Sequence, residues 1–116
     1  MQTAAILFVL AALGGLTMVI MRLRGIPQPP TWLALIHGTV AAAGLITLGY
    51  NAMTQTLPTL AMVALGIFVL AALGGFTIFG LFHMQGKPLP IPLILGHGLT
   101  ALVGVGLLIA AMMQVG

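Results

Sequence analysis

The stretch FVLAALGGLT at residues 8–17 returns as FVLAALGGFT at residues 68–77. Carried forward without a gap, the same offset of 60 pairs Pro30 with Pro90, Leu33 with Leu93, His37 with His97 and Gly38 with Gly98. It continues through Ala41 and Ala101, Gly44 and Gly104, and Leu48 and Leu108. Between residues 8–53 and 68–113, 18 of 46 pairs are identical, which reads as the duplication of one unit. Each unit holds two long apolar runs, so the repeated element is a helical hairpin.

The four runs cover about residues 4–21, 32–53, 60–82 and 93–113. Each has roughly 20 residues, enough at 1.5 Å per residue to cross ~30 Å of hydrocarbon. They are continuous and do not alternate, which favours helices over strands. Two hairpins that each cross twice keep the same orientation, so a pseudo-twofold axis along the membrane normal is expected. The fold class read from this pattern is all-α: an integral membrane up-down four-helix bundle, one domain over residues 1–116, made of two tandem hairpins.

Composition agrees. Of 116 residues, 61% are apolar and 3% charged, and the mean hydropathy is +1.29. A soluble domain carries roughly 25% charged residues, so lipid is the expected solvent. There is no aspartate, glutamate or cysteine. That excludes paired-acid hydrolysis, a Ser-His-Asp triad, carboxylate metal cages, disulfides and thiolate metal sites. An enzyme acting alone is not expected. The pI near 11.0 reflects missing acids and gives no argument for nucleic acid.

The only cations are Arg22, Arg24 and Lys87, and all three sit in or beside the two Pro/Gly-rich connections, RLRGIPQPPT and HMQGKPLPIP. The connection between runs two and three is short and uncharged. The positive-inside rule therefore makes both basic loops cytoplasmic and puts both termini outside. The expected setting is a bacterial inner (cytoplasmic) membrane, crossed several times. Residues 1–20 lack a basic leading segment and are not read as a signal peptide.

In the second helix of each unit the identities fall on one stripe. Leu33, His37, Ala41, Gly44 and Leu48 are spaced 4, 4, 3 and 4, and Leu93, His97, Ala101, Gly104 and Leu108 repeat the spacing. A stripe retained while its surroundings drifted is expected to face the bundle axis. His37 and His97 then lie at equal depth, about 7–8 Å inside the loop-side boundary. An intramembrane ionisable residue is a functional-site hypothesis by default.

The sharp reading is one b-type haem held by His37 and His97, because neutral imidazole is an established axial ligand and bundle interiors house such sites. Gly44 and Gly104 lie two turns beyond the histidines, where a flat macrocycle needs a missing side chain. Gly14, Gly15, Gly74 and Gly75 bring small residues to the middle of the other helices. Arg22, Arg24 and Lys87 are candidate partners for the propionates. Paired glycines and inward histidines on a four-helix membrane bundle resemble the membrane b-type cytochromes, including the b561-like group, and the resemblance implies electron transfer. It covers only the His/Gly arrangement. Many such cytochromes carry two haems, whereas this chain offers one symmetric pair.

Other readings stay open. Small residues on a membrane helix face allow close packing, and a histidine there can donate to a backbone carbonyl. The chain would then be a cofactor-free accessory or scaffolding subunit, with other membrane subunits, a homo-oligomer or lipid as partners. Size and span number are similar to the small multidrug-resistance transporters, which depend on an embedded glutamate absent here; a His-gated proton or metal pathway is the remaining transport reading. His83 matches Leu23 at the offset of 60 and reads as a boundary histidine, with propionate partner or replacement ligand as the sharper roles. Thr17 and Thr77 are expected to bond the carbonyl one turn back. Trp32 and Tyr50 read as interface anchors.

Overall fold

A computed structural model describes residues 1–115 and is all-helical among them. The elements are α1 (Gln2–Leu23), α2 (Thr31–Thr54), α3 (Thr59–Ile78), a π-helical turn (Phe79–His83) continuing α3, and α4 (Ile91–Val115). They form a four-helix bundle measuring 43 × 21 × 19 Å. All four helices are long and apolar enough to cross a membrane, as a multi-pass membrane protein requires. α1 packs along α2 and α3 along α4, and the hairpins meet through α1–α4 and α2–α3.

Helix starts follow from prolines. Pro30, Pro58 and Pro90 precede α2, α3 and α4, and each carbonyl accepts the first intrahelical bonds: Leu33 N to Pro30 O at 3.1 Å, Ala61 N to Pro58 O at 2.9 Å, Ile94 N to Pro90 O at 3.0 Å. Proline suits the place because a helix start has no use for its missing N–H. After α1 the chain reverses at Gly25 (φ 97°), and after the π-turn at Gly86 (φ 68°), where only glycine avoids strain.

The core has two parts. At the end bearing the termini, Ala4, Phe8, Leu48, Ala61, Ala64, Phe68, Leu108 and Ala111 pack together. At the end bearing the two long loops, Ile78, Leu89 and Ile94 do so. Many large apolar side chains, Leu13, Leu73 and Phe76 among them, face outward. Trp32 and Tyr50 also project outward, as interface anchors would.

Candidate functional site

The histidine layer lies between these two cores. His37 is on α2, and its ring reaches α1, where Nδ1–H donates to the Ala11 carbonyl at 2.7 Å. His97 on α4 repeats this against the Ala71 carbonyl of α3 at 2.8 Å. A carbonyl can only accept, so both Nδ1 atoms carry the proton, and in the neutral ring Nε2 is the lone-pair nitrogen. The ring centres are 6.1 Å apart with planes at 81°. The stripe therefore does face inward and brings the two imidazoles together. On α2, His37 is six residues from the start, but it meets α1 at Ala11 to Gly15, about 12–18 Å from the Leu23 end. Counted along α1 the pair is further from the loop end than when counted along α2.

Glycines make this possible. A β-carbon on Gly15 would lie 3.0 Å from His37 Cε1, and one on Gly75 would lie 3.1 Å from His97 Cε1. Gly14 and Gly74 border the same rings at 3.8 and 3.6 Å. These four glycines seat the histidines. Gly44 and Gly104 have a different role from the one expected: their open faces take phenylalanine, not a macrocycle. A β-carbon on Gly44 would meet Phe8 Cε1 at 3.1 Å, and one on Gly104 would meet Phe68 Cε1 at 2.8 Å. Phe8 and Phe68 stack on each other across the bundle, centroids 3.6 Å apart and planes within 4°. Both belong to the repeated decapeptide. The signal for them was an aromatic on one helix at the level of a bare glycine on its neighbour.

The two rings differ in their surroundings. His97 lines an outward groove between α3 and α4 with Gly74, Thr77, Gly96 and Thr100. At the matching positions α2 has Ile36 and Val40 in place of Gly96 and Thr100. Every sealed side-chain nitrogen and oxygen among the described residues has a hydrogen-bond partner. The Nε2 atoms of His37 and His97 have none, so neither is sealed.

The cations do not join the layer. Arg22 donates through Nε to the Leu89 carbonyl at 2.8 Å. Arg24 and Lys87 are exposed on the loops. Arg22 is seven residues beyond Gly15, about 10 Å along α1. As placed, none of the three touches the imidazoles.

His83 is 7% exposed and hydrogen-bonds through Nε2 to Thr31 Oγ1 at 3.1 Å. Its counterpart is not Leu23. After α1, Gly25 N donates to Arg22 O and Ile26 N to Met21 O, each at 3.1 Å; after the π-turn, Gly86 N donates to His83 O at 3.2 Å and Lys87 N to Phe82 O at 2.9 Å. The offset there is 61, because the wider π-turn takes up one extra residue. His83 therefore stands where Arg22 stands, and each ties its hairpin to the other. Thr31→Val would leave the buried ring nitrogen without a partner, at a cost of about 1–3 kcal/mol. Thr17→Val, which removes only a bond to the Leu13 carbonyl of the same helix, is expected to be near neutral. Thermal unfolding in detergent compares them; equal midpoints would show that the tie carries no stability.

No family model, curated protein or solved structure matches the chain.

Proposed function

We propose that this is a multi-pass membrane protein, built from two tandem hairpins about a pseudo-twofold axis with its basic loops cytoplasmic, that coordinates one metal centre through His37 and His97. One observation carries the reading. In a bundle whose sealed polar side-chain atoms are all partnered, two neighbouring imidazoles each spend Nδ1–H on a carbonyl and leave an unsealed Nε2 without a protein partner. Fixing the second nitrogen by such a bond is how metal-ligating histidines are oriented. The rings cannot be satisfying each other, since with Nδ1 protonated on both, neither Nε2 has a hydrogen to donate to the other. Two imidazoles on opposite sides of one metal, with bonds of about 2.0–2.1 Å, have ring centres about 6.4 Å apart; the rings here are 6.1 Å apart with planes at 81°.

The haem implied by the sequence requires ligands and room. The donor pair fits an axial set. The room does not fit: the faces of Gly44 and Gly104 are covered by Phe8 and Phe68, and Gly15 and Gly75 by the histidines themselves. The grooves beside these helices lie on the outside, one between α3 and α4 and one between α1 and α4.

The test follows the imidazole nitrogens by ¹⁵N NMR in detergent micelles while hemin, silver(I) and zinc(II) are added in turn. The Nε2 signals of His37 and His97 are expected to move together with one of these. No movement with any would sink the metal reading. A Soret band from hemin that needs both histidines would restore the haem.

A second reading, a cofactor-free scaffolding subunit, has its own support: the Nδ1 bonds and the glycine seats close each hairpin without any guest. It leaves the two free Nε2 atoms without a role.

A further inference from the structure

We infer that the loop end of the bundle binds the headgroup of an anionic phospholipid, held by Arg22, Arg24 and Lys87 where the two basic loops meet. The inference does not depend on the metal reading; it rests on the chain being a multi-pass membrane protein. Two of the cations belong to one hairpin and the third to the other, and the fold closes the two loops on each other. Arg22 Nε donates to the Leu89 carbonyl at 2.8 Å, Leu89 N to the Pro27 carbonyl at 3.0 Å, and Gln28 Nε2 to the Lys87 carbonyl at 2.7 Å. The backbone of Lys87 is thus fixed against the loop that carries Arg24. The Arg22 guanidinium is fixed against the loop that carries Lys87.

Charge comes next. The chain has no aspartate or glutamate, so no side chain can neutralise the three cations. The N-terminal ammonium belongs to the opposite end, where it donates to Asn51 Oδ1 at 2.9 Å. Arg24 and Lys87 are exposed. The bond to Leu89 occupies only one of the five N–H groups that a guanidinium carries. Guanidinium forks grip phosphate oxygens in pairs, and an ammonium adds a point charge.

The apolar neighbours mark the phosphate as a lipid's. Leu23 separates Arg22 from Arg24 in sequence, and Leu23, Ile26, Trp32 and Met84 are exposed large apolar side chains at this end. A free phosphate ion has nothing to set against them. A phospholipid has both parts: headgroup oxygens for the cations and acyl chains for the apolar side chains. Trp32 suits the level between the two. Each Lys or Arg near a membrane surface favours anionic lipid by about fivefold.

Trp32 is the only tryptophan, so its fluorescence reports on this end. The full chain is placed in phosphatidylcholine bilayers. Phosphatidylglycerol brominated high on its acyl chains is then compared with equally brominated phosphatidylcholine. The anionic lipid is expected to quench Trp32 with a preference of about 25-fold or more, the share of the two exposed cations. Arg24→Gln with Lys87→Gln should reduce it to about fivefold or less, the share left to Arg22. High salt should weaken the parent's preference by screening, and excess inorganic phosphate should not relieve the quenching. The inference is overturned if the two lipids quench alike, if the double variant keeps the parent's preference, or if salt leaves it unchanged. Relief by phosphate overturns it too, since the site would then take a soluble anion. If neither lipid quenches Trp32, the membrane reading falls with it. The parent's own preference and salt response decide the matter even where the variant fails to fold.

Discussion

Phe68→Ala is expected to destabilise the bundle by about 2–3 kcal/mol. The ring is 5% exposed, stacked on Phe8 at 3.6 Å, and seated over Gly104. Detergent tails are as apolar as the core, so the loss is packing and not transfer from water. Each Å³ of unfilled space costs about 24 cal/mol, and a vacated ring leaves roughly 100 Å³. Nothing can relax into the space easily, because the facing position has no side chain. Phe76→Ala is the control: that ring is 73% exposed, and its removal should change little. Reversible unfolding in mixed micelles reads the difference, and equal losses from the two variants would mean that the stack contributes no more than a lipid-facing ring.

Gly15→Val should cost about as much. The new β-carbon would sit 3.0 Å from His37 Cε1 before its two methyls are counted. The ring has no easy retreat, being held by the Ala11 carbonyl at 2.7 Å. Overpacking of this kind costs about 1–3 kcal/mol, and a hydrogen bond broken in escape adds about 0.5–1.5 kcal/mol. The sum is about 2–4 kcal/mol. Gly66→Val on α3, where a β-carbon meets nothing within 4 Å, should be tolerated. Should Gly15→Val and Gly66→Val unfold at the same denaturant concentration, the histidine is not pinned as described.

The four helices were legible because crossing hydrocarbon demands a long uncharged run, and that demand leaves a plain mark on composition. Their ends were less so. Hydropathy marked residues 4–21 and 93–113, while the helices run Gln2–Leu23 and Ile91–Val115. Hydrogen bonding continues through Gln2 and Gln114, while on the loop side α1 ends before the left-handed Gly25 and α4 begins after Pro90. The inward stripe was legible too, since the repeat at residues 37 and 97 kept one helical face.

What fills a glycine's open face was not legible. Gly44 is bare whether a macrocycle or the ring of Phe8 lies on it, and only the relative heights of α1 and α2 decide. The π-turn was hidden for another reason. A one-residue shift that begins in α3 and is absorbed before α4 leaves the offset of 60 intact on both sides. Its trace was the step from Gly25 to Gly86, an interval of 61 between the two left-handed glycines.

The Phe8–Phe68 stack bears on access as well as stability. Rings 3.6 Å apart leave no thickness for a file of water between them, and Ile78, Leu89 and Ile94 close the other end of the interior. The bundle axis is thus blocked on both sides of the histidine layer, which makes the molecule a poor conduit. The layer is approached from the side, where an outward groove between α3 and α4 borders His97. Whatever reaches His97 therefore comes from the flank of α3 and α4 and not along the axis.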